Sequence, residues 1–290
     1  MDNLYSLIKI TRPINILLAL LSALISLFTY NFLSISNITC IIYHPTIPYG
    51  LLVILFYTAA ANTINDLYDI ETDKINHPSR PLPSGSIQSH TVLLFFLFLI
   101  LIGLFFSLKI NSNAFYFANL FILPSIIIYT PYIKKVPIAG NVLISIILGS
   151  VFLFTQLLLI NTINDWVLFS LAFSLSMIRE LSKDMADVEG DKHNNILTFP
   201  CRFGLQNSLY LMYLFLSILI ITTAIPIYSN PNNYLYLFSL IIIIYRPLFI
   251  SIFSLQKNLK SSSAKIVSNT IKKITFAGII TILFLDIKIL

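Results

Sequence analysis

Nine apolar segments of near-spanning length divide this chain, and they commit it to a bundle of helices in a membrane. They run at approximately 13–33, 48–66, 91–108, 113–131, 137–160, 164–183, 207–228, 233–254 and 271–289. A helix of ~20 apolar residues crosses the ~30 Å hydrocarbon core of a bilayer. Breakers separate the segments, among them Pro45 and Pro48, the Pro78–Gly85 stretch, Pro131 and Pro137, and Ser229-Asn-Pro-Asn-Asn233. With 57% hydrophobic and 10% charged residues in 290, the chain cannot hide its apolar surface as a soluble domain. The expectation is one all-α integral membrane domain over residues 1–290, with nine transmembrane helices.

The basic residues orient this bundle. Lys9 and Arg12 precede the first segment, and no small-residue cleavage site follows a short apolar core. The first segment therefore reads as a helix that stays, not as a removed signal peptide. Lys74, Arg80, Lys134, Lys135, Arg179, Lys183, Lys192 and Arg202 fall in or beside alternate connections. So do Arg246, Lys257, Lys260, Lys265, Lys272 and Lys273, which puts sixteen of the eighteen basic residues on one side. Lys109 and Lys288 are left on the other. The positive-inside rule makes the rich side cytoplasmic, with the N-terminus inside and the C-terminus outside a cell (inner) membrane. The net charge of +6 thus reports topology, and no basic run interleaved with aromatics points to nucleic acid. Cys40 and Cys201 fall on opposite sides, and no histidine stands at zinc-ligand spacing.

Nine of the twelve acidic residues sit in two short clusters. The first contains Asn62, Asn65, Asp66, Asp69, Glu71 and Asp73; the second contains Glu180, Asp184, Asp187, Glu189 and Asp191. Polar positions recur at 0, 4, 7 and 11 from Asn62 and again from Glu180. At ~100° per residue, four such positions stay within a ~60° arc of a helix. Each cluster is a carboxylate stripe at the cytoplasmic end of an apolar segment, the second and the sixth. Stacked carboxylates repel, so a cationic ligand is implied. A proton or ion pathway would place acids near the midplane, and the central stretches of the nine segments carry none. Asn161-Thr-Ile-Asn164-Asp165 repeats the first string without its later carboxylates. It reads as a polar turn, with Asn161 or Asn164 capping the sixth segment.

Two facing stripes suit Mg²⁺, a hard ion that takes carboxylate oxygens and shares its shell with phosphates. A diphosphate so bridged is a better leaving group, and an allylic carbon attached to it can ionise. Asp66, Asp69, Asp73, Asp184, Asp187 and Asp191 are the candidate metal ligands; Asp66, Asp69, Asp184 and Asp187 are the candidate catalytic groups. Arg80, Lys183 and Arg179 stand where they could assist the diphosphate, with Lys74 more remote. Asn62 and Asn65 could donate to phosphate or accept at the metal. Glu71 and Glu189 lie off the stripe and read as solvated surface. Tyr68 reads as an interface aromatic, Lys134, Lys135 and Arg12 as orientation signals, and Gly190 as a hinge that lets Asp191 turn inward.

Asn65-Asp66-x-x-Asp69-x-x-x-Asp73 followed by Arg80-Pro-Leu-Pro-Ser-Gly85 resembles the first signature of the UbiA superfamily of intramembrane prenyltransferases. Arg179-Glu180-x-x-Lys183-Asp184-x-x-Asp187-x-Glu189-Gly190-Asp191-Lys192 resembles the second. The resemblance implies nine helices around a central lipid-accessible cavity, with both aspartate motifs binding Mg²⁺ and a prenyl diphosphate. It also places Asn62, Asn65, Arg80 and Lys183 beside that group. The second signature is similar to the branch that alkylates geranylgeranylglyceryl phosphate, forming the second ether bond of archaeal-type lipids. Lys134, Lys135 and Arg179 are then candidate partners of the acceptor phosphate. Where that branch continues Lys-Thr-Leu-Pro, this chain reads Leu197-Thr198-Phe199-Pro200. The alternatives are an aromatic prenyltransferase of homogentisate or quinone-precursor type, a UbiA-type terpene cyclase, and a cation transporter. The expected partners are a prenyl diphosphate, a lipid or aromatic acceptor and membrane lipids, with no obligate protein partner.

Overall fold

The computed structural model describes residues 2–30, 43–164, 166–193 and 196–284, so Cys40, Asp165 and Lys288 lie outside the described residues. Within them all regular secondary structure is helical. Eleven helices follow in order: α1 Asp2–Ile10, α2 Pro13–Tyr30, α3 Ile47–Tyr68, α4 Ile70–Asn76, α5 Ser89–Ser107, α6 Ser112–Ile133, α7 Ala139–Ile160, α8 Val167–His193, α9 Phe199–Ser229, α10 Tyr234–Lys257 and α11 Ser261–Leu283. Seven of them (α3, α5, α6, α7, α9, α10 and α11) are long and apolar enough to cross a membrane. Most of α1 and of α2 pass the same test together, as a pair bent by 44°. The first twelve residues of α8 are uncharged, but its second half carries the whole acidic cluster.

The second acidic stripe is a helix face, as its spacing implies: α8 runs unbroken past residue 183 to His193. Two sequence expectations need correction. The first stripe is broken at Asp69, which ends α3 and precedes α4 with φ −92° and ψ 6°. The last helix begins at Ser261, ten residues before the apolar segment expected at 271.

Two apolar cores correspond to the two halves of the chain. One joins Ala23 of α2, Tyr57 and Ile64 of α3, Leu99 of α5, Ile126 of α6 and Leu158 of α7. The other joins Met177, Leu181 and Met185 of α8 to Met212 of α9, Ile252 of α10 and Ile271 of α11. In lipid the hydrophobic effect does not drive helices together, so close packing and interhelical hydrogen bonds must. Gly103 of α5 lets the Tyr57 ring approach to where a Cβ would stand, 2.4 Å away. The Tyr57 hydroxyl then donates to Asn119 Oδ1 at 2.6 Å, and Asn119 donates onward to Ser107 at 3.0 Å. Ser26 and Thr155 share a hydrogen bond of 2.6 Å between α2 and α7. The outer surface carries exposed Leu94, Phe98, Leu101, Ile221, Ile250 and Phe253, as a lipid-facing wall requires.

The ends of the bundle are fixed by contacts. Thr198, before α9, bonds to Asp191 near the end of α8, so α9 starts at the acidic end. Asn233, after α9, donates to the Phe284 carbonyl at 2.7 Å, so α11 finishes at the opposite end and starts at the acidic one. The Asn161 turn lies at that opposite end. Asn161 terminates α7 in the left-handed region (φ 58°) and so closes the fifth segment, not opening the sixth as expected.

Candidate functional site

The two acidic stripes face each other across a small polar chamber. Asp69, Asp73 and Asn65 line it from the first half; Asp184, Asp187 and Asp191 line it from α8. Arg12, Arg80, Lys134, Glu180 and Lys183 also line it, as do His77 and Tyr129. About 40 Å³ of it is free, and cations and carboxylates face one another across it.

Each acid of the first cluster has its own cation. Arg12 is ion-paired with Asp66, and Lys134 with Asp69. Arg80 donates to Asp73 at 2.6 Å and stands 3.7 Å from Asp66. Asp66 is 3% exposed and sits behind Arg12 and Arg80, off the chamber wall. Asn65 donates to Asp69 at 2.8 Å. Burial pushes the Asp69 carboxyl up, but Lys134, with Lys183 and Arg12 beyond, outweighs it and holds the group below the usual carboxylate range. Burial and the Arg80 charge hold His77 low, so it is neutral near pH 7.

The second cluster is less neutralised. Glu180 pairs with Arg179 and, at 3.7 Å, with Lys183. Asp184 accepts from Asn141 at 2.7 Å and Asp191 from Thr198 at 3.2 Å. Asp187 makes no hydrogen bond or ion pair among the described residues. Among those residues, no three His, Cys, Asp or Glu side chains already converge as a metal site.

Several positions depart from expectation. Arg12, expected to set topology, reaches the site because the chain breaks between α1 and α2 with Arg12 at φ 53°. A non-glycine residue at positive φ costs of order 1–3 kcal/mol and persists where its surroundings fix it. Here Lys9 donates to the Ser79 carbonyl at 3.1 Å, and Ile10 packs with Leu82 and Ile87 of the Arg80 loop and Val92 of α5. Lys134, read as an orientation signal or a partner of the acceptor phosphate, pairs with Asp69. Gly190 does not hinge: it is helical, and a Cβ there would stand 2.5 Å from the Asn76 side chain. Glu71 pairs with Lys74 on the exposed surface, away from the chamber, and Glu189 is exposed, as both were read. Tyr68 and Lys135 are also exposed.

Tyr129 and Asn141 were missed. Tyr129 opens a wide π-type turn, Tyr129–Ile133, that includes Pro131 and ends at Lys134. Such turns gather at functional sites, and the Tyr-Thr-Pro-Tyr string was the available signal. Asn141 was visible as a lone amide in the first turn of an apolar segment.

An apolar cavity of about 310 Å³ adjoins the chamber along the bundle axis. Asn62 and Arg179, expected at the diphosphate, line this cavity instead of the chamber. On α3 its wall runs from Val53 to Asn62, and on α8 from Leu168 to Arg179, roughly 14–17 Å at ~1.5 Å per residue. Asn65 and Glu180, within one turn further along those helices, line the chamber.

Fold and site together define a polytopic membrane enzyme with a charged chamber stacked on an apolar one. The chain belongs to the UbiA prenyltransferase family, whose pattern it matches over residues 19–274. It is 31% identical over 263 residues to the digeranylgeranylglyceryl phosphate synthase of Methanosphaera stadtmanae, covering 89% of this chain and 91% of that one. To the protein of the same name in Korarchaeum cryptofilum it is 30% identical over 286 residues, 98% of each chain. A solved structure of digeranylgeranylglyceryl phosphate synthase superposes with a TM-score of 0.73 at 28% identity, over 98% of each chain. A UbiA homologue from Archaeoglobus fulgidus, solved with GPP and Mg²⁺, shares the fold with a TM-score of 0.67 at 22% identity, over 94% of this chain and 99% of that one.

Proposed function

We propose that this protein transfers a geranylgeranyl group from its diphosphate to the free hydroxyl of geranylgeranylglyceryl phosphate or a similar lipid, forming an ether bond. The observation that carries this reading is the stacking of the two cavities: a charged head fits the chamber while its apolar tail lies between the helices. The names of the relatives point to the same acceptor. The departure at Leu197 does not argue against it. Leu197 is exposed, while its neighbours Ile196 and Thr198 line the chamber, so a lysine at 197 would face away.

The residues present fit Mg²⁺. The acids of the two stripes offer only oxygen donors, and Asp187 is uncommitted. Asp69 and Asp73 would hold the metal from one side, with Asp66 behind them between Arg12 and Arg80, and Asp184, Asp187 and Asp191 would hold it from the other. When bound, Mg²⁺ neutralises charge on the diphosphate and improves it as a leaving group. Arg80 and Lys183 bind phosphate oxygens, Asn65 orients Asp69, and Arg12 steadies Asp66. The apolar cavity keeps water from the allylic carbon, where it would compete with the acceptor. The bond from the prenyl C1 to the diphosphate oxygen breaks, the acceptor oxygen bonds to C1, and the hydroxyl proton is released.

In this reading the chain crosses a cell membrane nine times, α2 making the first crossing and α8 the sixth. The N-terminus and the site face the cytoplasm, following the bias of the basic residues. Exposed Leu4, Tyr5 and Ile8 suit α1 to the membrane interface.

The test is purified protein in detergent with labelled geranylgeranyl diphosphate, Mg²⁺ and a panel of acceptors. Labelled diether from the glyceryl phosphate lipid is expected. Transfer to aromatic acceptors alone, or release of a cyclic hydrocarbon without an acceptor, would overturn the reading.

A further inference from the structure

Four helices that line the apolar cavity each end their lining toward the acidic end on a polar residue. The lining residue nearest the acidic end is Asn15 on α2, Asn62 on α3, Arg179 on α8 and Lys272 on α11. Below them these walls are apolar or carry only hydroxyls. Asn15 donates to Asn62 at 3.3 Å, so two of the four already touch. The result is a polar collar between the apolar cavity and the carboxylate chamber, with two cations in it.

Lys272 is the unexplained member. It lies twelfth in the 23-residue helix α11 and is half-buried, with apolar Ile271 and Ile274 beside it in the core. It has no hydrogen bond or ion pair among the described residues. An ammonium in the wall of an intramembrane cavity is costly unless an anion or water meets it, and such residues mark ligand sites. Arg179, on the packed neighbour α8, leans on Glu180 and so keeps its guanidinium at the collar.

Resting on the acceptor assignment above, we propose that Arg179 and Lys272 form the subsite for the phosphate of the acceptor lipid. The diphosphate has its own cations in Arg80 and Lys183. Arg179 precedes Asp184 by five residues, about 7.5 Å along α8, so the collar offers a second anion site one step toward the cavity. In a glyceryl phosphate monoether, the free hydroxyl is on the carbon next to the one bearing the phosphate. Fixing that phosphate at the collar aims the hydroxyl at the boundary between chamber and cavity, where the prenyl C1 must lie. Lys134 and Lys135, the other sequence candidates, do not line the apolar cavity: Lys134 faces the chamber beside Asp69 and Lys135 is exposed.

The test is Lys272→Met, which keeps the length of the side chain and removes its charge, assayed with geranylgeranylglyceryl phosphate and with its dephosphorylated alcohol. Loss of a charge-assisted contact should raise KM for the phosphate acceptor about tenfold or more while KM for geranylgeranyl diphosphate stays within about twofold. The wild-type preference for the phosphate acceptor over the alcohol should shrink to match, and Lys272→Arg should restore it. An unchanged preference, or equal losses with both acceptors, overturns the subsite. Wild-type protein that uses neither acceptor overturns the proposed function itself, a result seen before any variant is made.

Discussion

Arg12 and Asp66 are ion-paired across 54 residues of sequence, and the pair ties the bent entry of the first membrane segment to the first acidic stripe. Asp66 is buried, with Arg12 and Arg80 as the cations beside it. Arg12→Ala should lower kcat/KM by about a hundredfold by removing a buried charge partner. Arg12→Lys should recover only part of the loss, since a point charge does not replace the guanidinium fork. Steady-state transfer assays on the two variants check this.

The carboxylates differ in their surroundings, and their variants should differ accordingly. Asp66→Asn and Asp184→Asn should each cost roughly 10²–10³ in kcat, the scale for removing electrostatic stabilisation at a reacting group. Glu71→Gln and Glu189→Gln, both exposed, should stay within about twofold. Chelation should abolish turnover of the wild type, and added Mg²⁺ should restore it. Equal sensitivity of all four positions would contradict the assignment.

Lys134 holds Asp69 ionised against the effect of burial. The sign follows directly. The Asp69 pKa lies below its ordinary value, so removing the strongest of the cations that oppose burial lets the pKa rise. In Lys134→Met a larger fraction of Asp69 is protonated at any given acidic pH. The acid limb of the kcat/KM profile should move to higher pH, and Lys134→Arg should leave it in place. A pH profile of the three proteins decides the matter.

The far end of the apolar cavity is built from bulky residues. Phe154 on α7 and Tyr236 on α10 line it there, both nearly fully buried. Phe154→Ala should deepen the cavity and shift preference toward longer prenyl diphosphates. Val53→Phe should shorten it and favour shorter donors. Each added or lost isoprene unit is several methylenes of burial, at ~0.8 kcal/mol per CH₂ in water-to-apolar transfer. Competition between C15, C20 and C25 donors would show the shift.

Gly190 and Asn76 join the second stripe to the first through a steric contact. Gly190→Ala would place a methyl 2.5 Å from the Asn76 amide, so the asparagine must move. The expected cost is about 1–3 kcal/mol, seen as a lower Tm. Asn76→Ala should relieve most of it in the double variant. A double-mutant cycle without coupling would refute the contact.

The sequence by itself determined the helical membrane fold, the two acidic stripes and the family. Each rests on local or periodic information: segment length against bilayer thickness, carboxylates at helical spacing, and breakers at fixed places. It also marked Glu71 and Glu189 as surface, since both fall off the stripe. Tertiary structure decided which cation meets which acid. Arg12, Lys134 and Lys272 looked alike in sequence, as basic residues near the ends of apolar segments. Arg12 reaches Asp66 through a left-handed turn before Pro13, Lys134 reaches Asp69 at the end of a π-type turn, and Lys272 lines the cavity with no acid at hand. Asn62 was placed on the first stripe by spacing and Arg179 beside the diphosphate, but both line the apolar cavity below the chamber. Periodicity fixes the face of a helix on which a residue lies. What that face meets depends on the rotation and depth of neighbouring helices, and those are set by packing across the whole bundle.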